Sequence, residues 1–161
     1  MAHRTRDRAR STAEGPSAYE RLTSQDSSLL MFEHRNTHMH VAAVGIFEVG
    51  PLRSADGGLD GQRIANYVES RLQDLPRYRQ KLAYTPLQQH PVWVDDDHFD
   101  LPYHVRHTAL PRPGTESQLE RLTARILSQP LDRERPLWEM WVIEGLEGDR
   151  FALLTKIHHC M

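Results

Sequence analysis

The segment WEMWVIEGLEGDRFALLTKIHHCM, residues 138–161, decides the fold of this chain. Two runs rich in aromatic and aliphatic residues flank a short connection, residues 146–149, that contains glycine and aspartate. Such runs favour β-strands, and such a connection favours a turn. The pattern therefore predicts a β-hairpin whose second strand leads into the histidine pair His158 and His159.

The two histidines should follow the alternation of this last strand. Successive side chains of a strand point to opposite faces of the sheet, so His158 should share a face with Lys156. His159 should share the other face with Ile157 if the extended conformation persists. Two adjacent imidazoles on opposite faces can differ in role, because the protein can hold one while the other opens onto a cavity.

Three stretches before the hairpin predict helices. Thr115 and Gln118 have the spacing of a capping box, and apolar residues follow at helical intervals over residues 119–127. A second apolar stripe covers residues 64–72. A third, short helix is predicted around the apolar run at residues 29–32, which could be a buried helix face or a contact with a lipid surface.

Extended segments lie between these helices. The sequence MHVAAVGIFEV, residues 39–49, is rich in β-branched and small apolar residues and predicts a mostly buried strand. Shorter extended pieces are expected at residues 81–84, 92–94 and 103–107. Helices and strands thus alternate along the chain, which predicts a mixed α/β architecture.

Composition excludes several classes of protein. A net charge of -2 gives no overall field that would attract nucleic acid. The one basic cluster lies in residues 1–18, which we expect to form a disordered tail. The longest apolar run, residues 41–47, is far shorter than the ~20 residues that cross a bilayer. A single cysteine, Cys160, suits a reducing cytoplasm.

Two groups of side chains could suggest a metal site. His34, His38 and His40 lie close together in sequence, and a metal hydrolase built on histidines is one alternative function. Asp95, Asp96 and Asp97 could bind a hard cation. We interpret both groups as solvated and expect no metal.

Six blocks occur in order along the chain: LTSQDSSLLMFE, MHVAAVGIFE, PRYRQKL, WVDDDHFDLPYHVRHTALPRPG, LSQPLDRERPLWEMWVIEGL and KIHHCM. In this order the chain resembles the N-terminal part of the bacterial wax ester synthase/acyl-CoA:diacylglycerol acyltransferases. These enzymes are members of the CoA-dependent acyltransferase superfamily, which includes chloramphenicol acetyltransferase. The similarity extends from about residue 22 to residue 161.

The resemblance implies a fold and a domain organisation. It implies an α/β fold, an α+β two-layer sandwich of the chloramphenicol-acetyltransferase type. Residues 19–161 would form the N-terminal part of the first acyltransferase domain and would end inside the family's His-His-x-x-x-Asp-Gly motif. The aspartate of that motif is expected to hold the histidine loop in place.

The resemblance also implies roles for particular residues. His159 matches the histidine taken as the general base, and His158 would be its positioning neighbour. Pro136, Leu137 and Trp138 match the family's Pro-Leu-Trp element, which we interpret as structural because it would place the hairpin that presents the histidines. A neutral imidazole titrates near 6.5 and can therefore accept a proton at cellular pH.

The implied function is O-acyl transfer from long-chain acyl-CoA to diacylglycerol, to a long-chain alcohol, or to both. Acyl-CoA would be a co-substrate, with no permanently bound cofactor. We expect a cytoplasmic protein with peripheral contact to the inner membrane or to a lipid droplet, and we expect this chain alone to be inactive. The alternative is a non-catalytic remnant or a lipid-associated interaction module.

Overall fold

A computed structural model of the chain describes residues 19–161, so the predicted basic tail at residues 1–18 lies outside the described residues. The helices are α1 (Ser24–Phe32), α2 (Gly61–Leu72), α3 (Leu101–His104) and α4 (Glu116–Leu127). The strands are β1 (Glu20–Arg21), β2 (His40–Glu48), β3 (Gln80–Tyr84), β4 (Pro91–Asp95), β5 (Val105–Ala109), β6 (Trp138–Leu146) and β7 (Arg150–His158). Short 3-10 turns occupy Gly50–Leu52 and Pro76–Arg79. Among the described residues no helix is long and apolar enough to span a bilayer.

The predicted hairpin forms the centre of the larger sheet. Strands β6 and β7 pair antiparallel, and the turn between them places Gly148 and Asp149 at positive φ angles of 77° and 59°. Glycine and aspartate both tolerate this left-handed conformation, which explains why this turn forms here. The sheet has the order β2-β7-β6-β5, with β5 parallel to β6. A second, smaller sheet has the order β1-β4-β3.

Helices cover both faces of the larger sheet. On one face, Ile126 of α4 packs in a cluster with Ile143 and Leu154. On the other face, Ile64 of α2 packs with Phe151 and neighbouring apolar residues. The mixed α/β class is confirmed.

The predicted capping box of α4 is confirmed, and α1 also begins at a cap. At the start of α4, the Thr115 hydroxyl accepts a hydrogen bond from Gln118 N–H (3.3 Å), and the Gln118 side chain accepts one from Thr115 N–H (2.7 Å). At the start of α1, the Thr23 hydroxyl accepts a hydrogen bond from Asp26 N–H (3.1 Å). These bonds satisfy backbone donors that have no partner within the helix.

Two strand predictions were wrong in part. Strand β2 is largely exposed, because it lies at the edge of the sheet and pairs only with β7 among the described strands. Its Val44 side chain, for example, is 43% exposed. The segment expected to be extended from residue 103 begins instead with the helical turn α3, which has Pro102 in its first turn, and the strand starts at Val105.

Strands β2 and β7 differ in burial, so truncating the two side chains of one cross-strand pair should lower the free energy of unfolding by unequal amounts. Leu154 is fully buried, so Leu154→Ala should lower the free energy of unfolding by about 2–5 kcal/mol. Its partner across the two strands, Val44, lies on the same face, and Val44→Ala should cost less than about 1 kcal/mol. Chemical denaturation of both variants measures this contrast. Equal losses of stability would show that β2 is buried.

Candidate active site

The histidine pair lies where β7 leaves the sheet. His158 is the last residue of β7 and is opposite His40 of β2. Its backbone N–H donates to the Leu137 carbonyl (3.0 Å), and its side chain is 1% exposed. Lys156 is also fully buried, so the predicted common face of His158 and Lys156 is confirmed. The protein therefore fixes the backbone of His158 by a hydrogen bond and buries its ring.

The His158 ring has a defined orientation. Its Nδ1 accepts a hydrogen bond from the Cys160 backbone N–H (3.1 Å). In the neutral ring the proton must then be on Nε2, because Nδ1 uses its lone pair for that bond. Nε2 lies 3.7 Å from Glu33 Oε2 and has no hydrogen-bond partner among the described residues. Burial lowers the pKa of His158, while the Glu33 carboxylate opposes this effect.

The carboxylate facing His158 is itself fixed. Glu33 follows α1, and its Oε2 accepts hydrogen bonds from Arg133 Nη2 (2.7 Å) and Nε (3.1 Å). Its Oε1 accepts a hydrogen bond from the Met39 backbone N–H (3.2 Å). Burial pushes the pKa of Glu33 upward, but the bonds from Arg133 and Met39 outweigh it and hold this pKa below the ordinary value. Glu33 is therefore ionised at neutral pH.

His159 has a different environment. It lies in the turn after β7 with an exposed side chain, and its backbone N–H donates to the Met39 carbonyl (2.8 Å). The two adjacent imidazoles thus differ in exposure, one buried and one open, although the strand ends at His158 and the alternation does not extend to His159. An exposed ring beside a fixed backbone can approach a reacting group that enters from solvent.

The Pro-Leu-Trp element supports this region. Leu137 is fully buried and its carbonyl is the acceptor for His158 N–H. The Trp138 indole donates to the Tyr78 carbonyl (2.8 Å), and its ring stacks on His104 at 4.7 Å between centroids. Pro136 is buried beside them. These contacts agree with the structural role proposed for Pro136, Leu137 and Trp138.

The carboxyl end of α4 binds three side chains that the sequence reasoning did not connect. The Lys156 ammonium donates to the carbonyls of Ile126 (3.2 Å) and Gln129 (2.5 Å). His40 Nε2 bonds to the Leu127 carbonyl and His38 Nε2 to the Ser128 carbonyl, both at 3.1 Å. Burial lowers the pKa of Lys156, and burial followed by the charge of Lys156 lowers that of His40. The sequence feature that could have indicated these contacts is Lys156, a charged residue on the buried face of β7.

The interpretation of both metal candidates as solvated holds for the exposed His34, Asp95 and Asp97 and is wrong for the other three residues. His38 and His40 are partly buried, stack at 5.4 Å and bond to the end of α4. Asp96 is buried and forms an ion pair with Lys81 (2.9 Å). Across residues 19–161, no three histidine, cysteine, aspartate or glutamate side chains are arranged to hold a metal ion.

An apolar cavity lies on the α2 side of the sheet near the end of β7. Its volume is about 240 Å³, and its walls include Tyr67, Leu72, Tyr78, Trp138 and Ile157. Ile157 precedes the histidine pair directly, so the cavity and the exposed imidazole are neighbours along the chain. Such a cavity would accept part of a hydrocarbon chain.

Comparison with known families agrees with this arrangement. Residues 22–161 match the wax ester synthase/diacylglycerol acyltransferase catalytic domain. The chain belongs to this family. Its fold is that of a wax ester synthase/diacylglycerol acyltransferase.

Individual relatives agree with the family assignment. The chain is 45% identical over 142 residues to a probable diacylglycerol O-acyltransferase, tgs3, of Mycobacterium tuberculosis, covering 88% of this chain and 51% of tgs3. It is 35% identical to the solved wax ester synthase/diacylglycerol acyltransferase of Marinobacter aquaeolei VT8, with a TM-score of 0.75, covering 88% of this chain and 33% of that one. The chain therefore spans about half the length of tgs3 and a third of the Marinobacter protein.

A more distant structure shares only the fold. The first condensation domain of the calcium-dependent antibiotic synthetase is 16% identical, with a TM-score of 0.67. The match covers 90% of this chain and 35% of the condensation domain. At this identity the similarity indicates a common architecture and carries no conclusion about substrates.

Two buried histidines and one partly buried histidine predict a loss of stability on mild acidification. Burial lowers the pKa of His40, His104 and His158 below that of free histidine. As the pH falls through about 6.5, the unfolded chain therefore binds more protons than the folded chain. The free energy of unfolding should decrease from about pH 7 to about pH 5, as measured by chemical denaturation at each pH.

The variant His104→Phe tests the histidine origin of this effect. A phenyl ring can keep the stacking between Phe99 and Trp138, and it removes one titrating group. Its stability should depend less steeply on pH over the same interval. Glu33 and Asp96 do not interfere, because their lowered pKa values remove stability only below about pH 4.5. A parent chain with equal stability at both pH values would contradict the explanation.

Proposed function

We propose that the protein containing this chain transfers a long-chain acyl group from acyl-CoA to the hydroxyl of diacylglycerol or of a long-chain alcohol. The observation that carries the proposal is the exposed His159 in the turn after β7, with its backbone bonded to Met39. Family membership supports the reaction type, because the family is described by wax ester synthesis and diacylglycerol acylation. Peripheral contact with the inner membrane or with lipid droplets stays a prediction.

His159 is proposed as the general base. Its neutral imidazole removes the proton of the acceptor hydroxyl while the hydroxyl oxygen bonds to the thioester carbonyl carbon. The tetrahedral intermediate then collapses, the carbon–sulfur bond breaks, and the departing CoA sulfur takes the proton from the imidazolium. The products are an ester and free CoA. No covalent bond to the protein is required.

The acceptor class is supported by two observations. The relatives carry the names diacylglycerol O-acyltransferase and wax ester synthase/diacylglycerol acyltransferase. The apolar cavity near Ile157 has mainly aromatic and aliphatic walls, which match a fatty chain better than a polar acceptor. Both observations favour a lipid hydroxyl as acceptor.

Replacement of the base should abolish most turnover. In the full-length protein, His159→Ala should lower kcat by about 10²- to 10⁴-fold, because a well-placed general base contributes that much. Release of CoA and formation of labelled triacylglycerol or wax ester measure the effect. Among the other histidines, His98 is exposed and distant along the chain, and His98→Ala serves as the matched control with expected parental activity.

Turnover of His159→Ala and of the unmutated protein separates the acyltransferase hypothesis from that of a non-catalytic interaction module. Parental turnover in His159→Ala would overturn the role of this residue. Absence of turnover in the unmutated full-length protein, with diacylglycerol and with long-chain alcohols, would favour the non-catalytic interaction module instead.

The isolated 161-residue chain should form no measurable ester. It corresponds to about half the length of tgs3. Loose placement of a catalytic group alone can cost about 10²-fold in rate. Purified chain is incubated with acyl-CoA and diacylglycerol, beside His159→Ala as the blank. Ester formation above that blank would contradict the expectation.

A further inference from the structure

One carboxylate is connected to both histidines of the candidate site. Glu33 Oε2 lies 3.7 Å from Nε2 of His158. Glu33 Oε1 accepts from Met39 N–H (3.2 Å), and the Met39 carbonyl accepts from His159 N–H (2.8 Å). The same side chain thus faces the ring of the first histidine and, through one residue of backbone, fixes the second.

The position of this carboxylate is determined by residues from distant parts of the chain. Arg133, in the loop before β6, donates twice to Glu33 and once to the Leu30 carbonyl (2.9 Å) at the end of α1. The Glu33 side chain is 8% exposed. An ionised carboxylate so buried needs its partners, because removing one leaves an uncompensated buried charge. Glu33 therefore has little freedom to move.

Both oxygens of the Glu33 side chain face hydrogen-bond donors, so each oxygen must act as an acceptor. One oxygen faces N–H groups of Arg133 and His158, and the other faces the N–H of Met39. A carboxylate accepts on both oxygens, whereas an amide of the same shape accepts on one and donates on the other. Glutamine at position 33 must therefore place an NH₂ group against another donor on one of its two sides.

We propose that Glu33 is a positioning residue of the acyl-transfer site, which sets the His158 ring and the His159 backbone so that the His159 imidazole meets the acceptor hydroxyl. The inference rests on the proposed function. Glu33 acts through the two histidines and makes no contact with substrate. Its pairing with Arg133 serves to keep the carboxylate in place.

The decisive variant is Glu33→Gln in the full-length protein. It preserves side-chain volume but cannot accept on both sides, so the turn that carries His159 should lose its fixed geometry. We expect kcat to fall by about 10²-fold and KM for acyl-CoA to stay within about threefold, because misplacement of a catalytic group affects the chemical step. The matched control is Glu48→Gln, at the far, exposed end of β2.

A second readout detects the loss of charge directly. His158 is surrounded by Glu33, Arg133, His40 and His159, and among these Glu33 alone raises its pKa. In Glu33→Gln the pKa of His158 should therefore fall further, as followed by ¹⁵N chemical shifts of histidine-labelled protein over a pH titration. A purely structural glutamate far from the ring would leave this titration unchanged.

The outcomes distinguish this inference from the proposed function. Loss of activity in His159→Ala together with parental kcat and an unchanged His158 titration in Glu33→Gln would overturn the role of Glu33 alone. Parental activity in His159→Ala would overturn the proposed function first. If Glu33→Gln does not fold, Glu33→Asp keeps the charge but shortens the reach, and it should show the same selective fall in kcat; parental kcat there would refute the inference.

Discussion

The central position of β7 is the constraint on which the rest of the structure depends. The strand is paired on both sides, by β2 and by β6, so the direction of every side chain is fixed by the pleat. Lys156 and His158 must enter the face covered by α4, and Ile157 must face the side of α2. A shift of one residue in register would exchange these faces and expose an apolar set to solvent. The placement of the histidine pair therefore follows from the pairing of a single strand.

Burial of Lys156 is compatible with this constraint because the end of a helix supplies its partners. The last four carbonyls of an α-helix have no acceptor role within the helix, and the helix dipole is negative there. Lys156 and the rings of His38 and His40 occupy these carbonyls at α4. The same contacts tie α4 to β7 and to the start of β2, so the helix, the edge strand and the histidine turn are held as one unit. Glu33 extends this connection to α1 through Arg133.

Local signals in the sequence predicted much of the fold but only part of the site. The capping box of α4, the hairpin and the alternation at Lys156 and His158 depend on residues close together in the chain, and these predictions were confirmed. The exposure of β2 depends on how many strands lie beside it, which the apolar composition of one strand does not specify. Glu33 was missed for a related reason. It precedes His158 by most of the chain, and only the packing of α1 against the loop at Arg133 brings the two together.

The chemistry of His158, His159 and Cys160 supports the proposal that His159 is the base. His158 has no free basic nitrogen in its neutral form, since Nδ1 accepts from Cys160 N–H and the proton on Nε2 faces Glu33. Cys160 is not available as a nucleophile, because burial raises the pKa of its thiol to about 12 and keeps it protonated. Of these three residues, His159 alone has an exposed side chain, and its backbone N–H is bonded to the Met39 carbonyl. The arrangement therefore supports the proposed direct transfer from thioester to hydroxyl, assisted by a base and without an acylated cysteine.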